Sequence, residues 1–191
     1  MGLPLVRMAP WIVGVFFGFW LLYGWMTSRG NQKSRESSPV FYRIHLLIVT
    51  LAITVSVTHL PGWWGVRPFS PANWSLWTGW ILLVSGMIWA VWARLHLGKH
   101  WSSAVQLREY QQIVQTGPYR WVRHPIYTGI ILISLGLNLI NPQWTGFLGW
   151  ILLVSSYWVK SGLEEKMLVT QFGDEYRTYQ RRSRRLIPWI L

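Results

Sequence analysis

The chain has 191 residues, of which 51% are apolar and 13% charged, with 16 Trp and no Cys. Soluble domains carry about 25% charged residues, so this composition excludes an ordinary soluble domain, a disordered chain and a collagen repeat. The missing cysteines exclude a disulfide scaffold and thiolate metal sites. Eighteen Lys and Arg against six Asp and Glu give +12, a balance that in a soluble protein would point to nucleic acid.

Taken in chain order, four stretches hold no charged side chain: Met8 to Ser28, Ile44 to Val66, Pro68 to Ala93 and His124 to Val159. A membrane-spanning helix needs about 20 apolar residues, so the first three hold one span each. The fourth is too long for one helix. Asn138, Asn141, Pro142 and Gln143 interrupt it, and it reads as a helical hairpin. The expected architecture is an all-α integral membrane protein with five spans, at roughly 9–27, 44–60, 76–96, 126–140 and 144–161. It forms one membrane domain, residues 1–191, with a three-helix part at 1–93 and a chemistry-bearing part at 94–191. The first span has too long an apolar run for a secretory signal, and Met26-Thr27-Ser28-Arg29-Gly30 is a poor cleavage site, so it is expected to be retained. The Trp residues cluster near the helix ends, as in an interfacial aromatic belt.

The placement of charge then orients the chain. Segments 29–43, 94–125 and 160–191 hold sixteen of the Lys and Arg and all six acids, whereas Arg7 and Arg67 are alone on the other side. Positive residues favour the cytoplasm, which predicts an outside N-terminus and a cytoplasmic C-terminus. Orientation and anionic headgroups account for the basic excess, so no nucleic-acid partner is expected.

Two inner segments carry the chemistry. In residues 97–127, Thr116-Gly117-Pro118-Tyr119 marks a turn, and Pro118 and Pro125 forbid one continuous helix. Arg120, Arg123 and His124 gather where the chain re-enters the membrane, compatible with headgroup anchoring, an anion site or a proton-handling histidine. In the second segment Lys160 and Glu164 stand i, i+4 and share one face if the fifth helix continues. Glu164 and Glu165 are two of only six acids, and acids at such depth have assigned partners. Arg181, Arg182, Arg184 and Arg185 tie the tail to the anionic leaflet. His96 and His100 are also i, i+4, but no third ligand has suitable spacing, so no metal is expected. Gly-x-Ser-x-Gly and Gly-x-Gly-x-x-Gly are both absent.

Three blocks stand in a fixed order: Leu97-Gly98-x-x-Trp101-Ser102; Gly117-Pro118-Tyr119-Arg120-x-x-Arg123-His124-Pro125-x-Tyr127; and Glu164-Glu165-x-x-Leu168-x-x-x-Phe172-Gly173-x-Glu175-Tyr176-x-x-Tyr179, closed by Arg185-Leu186-Ile187-Pro188. Together they resemble the isoprenylcysteine carboxyl methyltransferase family and its prokaryotic relatives, over residues 95–188. The resemblance implies a polytopic helical enzyme that moves the methyl of S-adenosyl-L-methionine to a lipophilic acceptor such as a prenylated cysteine, with the cofactor pocket on the cytoplasmic side. By the same resemblance, cofactor contacts fall on Gln106, Gln111, Gln112, Ile113, Val114, Tyr119, His124, Pro125, Ile126, Tyr127 and Glu164, and the acceptor-facing cation on Lys160. The family more often has Arg at that last position, and Lys keeps the charge but loses the bidentate fork. The stretch between Gln106 and Gln111 is shorter than in eukaryotic members.

The chemistry of those residues agrees with the implied roles. An acid such as Glu164 suits the cofactor's ammonium, His124 with nearby backbone N–H groups its carboxylate, and Tyr119 or Tyr127 its adenosine or sulfonium face. A carboxylate acceptor needs no base, whereas a thiol or a phospholipid amine would have to lose a proton. An NADPH-dependent lipid or sterol reductase and a non-catalytic lipid-binding protein are the alternative readings.

Overall fold

A computed structural model describes residues 2–28, 39–58, 61–98 and 113–187. Among them the chain is helical: α1 is Gly2–Ser28, α2 Pro39–Val57, α3 Asn73–Leu97, α4 Pro125–Ile140, α5 Trp144–Phe172 and α6 Asp174–Arg182. Two short 3-10 turns, Gly62–Gly65 and Gly117–Arg120, precede α3 and α4. Among the described residues three helices are long and apolar enough to cross a membrane, over Val6–Gly24, Val40–Val57 and Asn73–Leu97. The fourth, α4, is apolar but has 16 residues, about 24 Å at 1.5 Å per residue, short of a ~30 Å hydrocarbon core.

The centre of the bundle is the α3–α4 pair, and glycine decides how close the two helices come. A Cβ at Gly79 would lie 2.8 Å from the Gly136 carbonyl oxygen, and one at Gly86 2.8 Å from that of Gly129. Two glycines seven residues apart on each helix thus bring the backbones into direct contact, where apolar solvent gives packing its main role. Leu83, Ala90, Ile133, Leu137 and Ile140 fill the seam, and α1 leans on it through Ala9, Val13 and Phe16. On the other flank α5 meets α2 with Gly149 against Ala52.

The hairpin differs from expectation in one respect. Asn138 does not break the helix: α4 continues to Ile140, and the Asn138 Nδ2 donates to the Ser134 carbonyl at 2.8 Å. A side-chain amide that bonds one turn back leaves the backbone ladder intact. The break falls at Asn141–Gln143, where both amides donate to the Thr58 carbonyl, at 3.2 Å from Asn141 and 2.7 Å from Gln143. They cap the end of α2 with donors that its last turn lacks.

Beyond the expected fifth span, α5 runs on to Phe172, so Lys160, Glu164 and Glu165 lie on one uninterrupted helix. Gly173 ends it at φ +56°, a left-handed conformation that glycine takes without steric cost. The short α6 follows with Asp174 and Glu175 in its first turn and Arg181 and Arg182 in its last, each matched to the helix dipole. It buries Tyr176 and Tyr179, after which the chain runs beside residues 121–124 as a two-residue parallel contact between Val122 and Arg184.

Candidate active site

The end of the bundle that holds the starts of α2 and α4 and the middle of α5 gathers the titratable groups. Pro118 and Pro125 stop helix formation on either side of Trp121–His124, leaving those backbone groups to pair with the tail. The Arg123 and His124 N–H groups donate to the carbonyls of Arg184 and Arg185 at 2.8 and 3.1 Å, and Arg184 N–H donates to Trp121 at 2.9 Å. The Thr128 hydroxyl donates to the Leu186 carbonyl. Tyr179 reaches from α6 to the Tyr119 carbonyl at 2.6 Å. These bonds fix His124 at the N-cap of α4.

From there His124 divides two acids. Its Nε2 is 3.2 Å from Glu165 Oε1 and its Nδ1 3.4 Å from Glu164 Oε2. Glu165 is fully engaged: Arg123 Nε donates at 2.7 Å, Gln180 Nε2 at 3.0 Å, and Arg185 Nε stands 3.6 Å away. Arg123 also donates to the carbonyls of Gln180 and Ser183, which closes the tail over the site. Glu164 accepts the Tyr127 hydroxyl at 2.6 Å, and its side chain is 18% exposed against 9% for Glu165. The pair therefore splits into a buried structural acid and a more accessible one aimed by His124 and Tyr127.

Electrostatics follow the geometry. Burial opposes ionisation of Glu165, but the bonds from His124 and Arg123 prevail and hold it at about 2. Glu164 is likewise lowered: burial works against its charge, and His124, Lys160 and Tyr127 outweigh it. Burial alone would lower His124, yet the two carboxylates raise it above its ordinary value. Burial pushes the Tyr119 hydroxyl upward, so it stays protonated.

An aromatic ladder continues from His124 along α4 and α5. Tyr127 stacks on the His124 ring at 5.3 Å and 4°, and Tyr157 follows at 4.6 Å. Beyond it stands His45 of α2, 4.8 Å from the Tyr157 ring, with Nδ1 2.7 Å from the Ser156 hydroxyl. Lys160, only 5% exposed, holds its ammonium 5.2 Å from the Tyr127 ring and 5.8 Å from that of Tyr42. One helical turn before Glu164, it faces the α2–α5 side of the cluster.

Of the residues singled out in the sequence, Tyr119, His124, Tyr127, Lys160 and Glu164 converge at this end. Pro125 and Ile126 are buried beneath them as the first turn of α4, and Val114 packs against the same core with Tyr119 and Ile126. Ile113 is half-buried beside Val114. Gln106, Gln111 and Gln112 lie outside the described residues. His124 departs from the role of holding a ligand carboxylate, since both ring nitrogens face glutamates. Sequence reasoning gave no role to Gln180, His45 or Tyr157; it placed Arg123 in the basic group before α4 and expected a partner for Glu165, without joining the two.

A family model described as phospholipid methyltransferase matches residues 74–175, from the start of α3 to the start of α6. Methanethiol S-methyltransferase 1 of Bradyrhizobium diazoefficiens is 40% identical over 72 residues, 37% of this chain and 24% of that protein. Protein-S-isoprenylcysteine O-methyltransferase B of Arabidopsis thaliana is 23% identical over 156 residues, covering 78% of this chain and 74% of the relative. The Tribolium castaneum protein-S-isoprenylcysteine O-methyltransferase is 32% identical over 110 residues, 51% of this chain and 36% of its own length. This chain thus spans about a quarter of the methanethiol enzyme it matches.

Proposed function

Because the chain belongs to the phospholipid methyltransferase family, we propose that it is a membrane enzyme that uses S-adenosyl-L-methionine to methylate a lipophilic acceptor, most suitably a carboxylate of the isoprenylcysteine or isoprenoid-acid type. The observation that carries this reading is Glu164, an ionised acid aimed by His124 and Tyr127 and standing one turn from a buried Lys160. The relatives named above are methyltransferases by name, which favours methyl transfer over NADPH-dependent reduction.

Among the residues present, Glu164 fits the charged end of such a cofactor, as a carboxylate with partial exposure for an ammonium. When bound, the cofactor supplies an electrophilic methyl group on sulfur. Glu164 holds the ammonium. His124 acts as a positioning residue that fixes the Glu164 rotamer, while Tyr127 bonds the second oxygen. Lys160 orients the acceptor carboxylate. An ionised carboxylate has no proton to lose, so positioning and exclusion of water provide the acceleration. A thiol acceptor is the second reading, favoured by the methanethiol relatives; it requires a proton acceptor, and His45 beside Ser156 lies on the same side as Lys160. We place α1, α2, α3 and the α4–α5 hairpin as five passes, with this site at the cytoplasmic face.

Calorimetry with S-adenosylhomocysteine on the detergent-solubilised full chain tests the cofactor assignment. Glu164→Gln should weaken binding about ten- to hundredfold, the worth of one charge-assisted hydrogen bond. Unchanged affinity in a folded Glu164→Gln protein would remove Glu164 from the site.

A further inference from the structure

At the end of the bundle opposite His124, the start of α1, the ends of α2 and α4 and the start of α3 enclose a cavity of about 830 Å³. Its walls are apolar, formed by Val57, Leu76, Leu137 and Ile140, while Arg7 and Arg67 stand at its mouth. These two are the basic residues that the sequence leaves outside the three basic segments, and both are exposed. No acidic side chain lines the cavity. Two polar groups in its lining are engaged within the protein: the Ser56 hydroxyl donates to the Ala52 carbonyl at 2.7 Å and the Asn141 amide to that of Thr58.

A second observation sets the depth of the mouth in the bilayer. Trp11 at the rim is exposed, as are Trp63, Trp64, Trp74, Trp77 and Trp144 at the same end of the molecule. Exposed Trp rings settle at headgroup level, so the two guanidinium groups sit where lipid phosphates lie and the apolar walls extend toward acyl chains. We propose that this cavity binds an acidic glycerophospholipid, its phosphodiester held by Arg7 and Arg67 and its chains between α1 and the α3–α4 pair. Arginine recognises phosphate through its planar fork. The volume is that of a site for a ligand of tens of atoms and far exceeds an inorganic anion, so the anion must carry an apolar body. This site is separate from the proposed methyl-transfer site and does not depend on it.

The test is titration of the purified full chain in zwitterionic detergent with short-chain phosphatidylglycerol, short-chain phosphatidylcholine and inorganic phosphate, read by native mass spectrometry. Phosphatidylglycerol should bind one to one, phosphatidylcholine more weakly, and phosphate should neither bind nor compete. Arg7→Gln and Arg67→Gln should each weaken phosphatidylglycerol about fivefold and the double variant about thirtyfold, with the Lys variants between these and the parent. Both residues are exposed, and an unchanged melting midpoint without lipid reports that the variants fold. Undiminished binding in the folded double variant would overturn the proposal. So would phosphatidylcholine binding as tightly as phosphatidylglycerol, or phosphate competing with it at equal concentration.

Discussion

Glu164 and Glu165 are neighbours in sequence with opposite duties, and the division comes from what each touches. Glu165 is tied to Arg123, His124 and Gln180, so it fastens the tail to the start of α4. Its lowered value makes a contribution that is present above the ordinary glutamate range and fades as pH falls through about 2. His124 is raised, so its contribution is complete below the ordinary histidine value, ~6.5, and is lost as pH rises through its higher folded value. Thermal melting across pH should therefore show an acid limb and an alkaline limb. His124→Gln should flatten the alkaline limb and also shrink the acid one, because His124 helps to hold Glu165 low; an alkaline limb of the same size would show that another group causes it. Glu165→Ala removes the carboxylate partner of a largely buried Arg123, which keeps only the carbonyls of Gln180 and Ser183, and should cost about 3 kcal/mol.

Under the proposed function, Lys160 is the residue whose substitution separates the acceptor classes. Its ammonium is buried against Tyr127 and Tyr42, on the side of α5 that faces α2. If the acceptor is a carboxylate, Lys160→Met should raise its Michaelis constant or lower turnover while S-adenosylhomocysteine affinity holds. Lys160→Arg should retain activity through the bidentate fork. Near-silent behaviour of both variants with a thiol acceptor would assign the thiol reading. Equal loss of cofactor affinity in Lys160→Met would make the residue a support of the cofactor pocket.

Among the elements, the α3–α4 pair places the start of α4 that carries the site, although none of the four glycines in its seam belongs to the cluster around His124. A Cβ on Gly136 would meet the Gly79 carbonyl oxygen at 2.6 Å and the Leu83 nitrogen at 2.7 Å, atoms of backbone that yield only if the helices part. Gly136→Val should cost about 1–3 kcal/mol. Parting α4 from α3 also moves the helix start that carries His124, so S-adenosylhomocysteine affinity should fall with the melting midpoint. Gly14→Val on α1, where a Cβ meets nothing within 4 Å, is the matched control. Equal midpoints for the two variants would contradict close packing of α3 on α4. The helices and their polarity were legible because apolar runs must be long to span. The glycine seam was not, since contact between two helices depends on which faces meet.

For the whole molecule, the charge asymmetry predicts that the α2–α3 connection and the α5 extension lie on opposite sides. Asn141 is buried against Thr58 and is a poor reporter, whereas Trp63 and Lys166 are exposed. A cysteine at Lys166 should react with a membrane-impermeant reagent only from the cytoplasmic side, and one at Trp63 only from the other. Labelling of both from one side would refute the odd number of passes.

The sequence by itself determined that the chain is a helical membrane protein, where its apolar helices run, and that Tyr119, His124, Tyr127, Lys160 and Glu164 belong together. Those properties are written in local composition and in the order of short motifs, which need no knowledge of neighbours. Tertiary structure decided that His124 faces two glutamates rather than leaving a ring nitrogen for a ligand. It also decided that Glu165 locks the tail, that α5 carries Lys160 and Glu164 on one unbroken helix, and that Arg7 and Arg67 meet at one cavity. Each of these depends on contacts between segments 15 or more residues apart, or on a helix persisting past its apolar span. A carboxylate's role is set by which donors reach its two oxygens, and only the folded chain brings those donors within bonding reach.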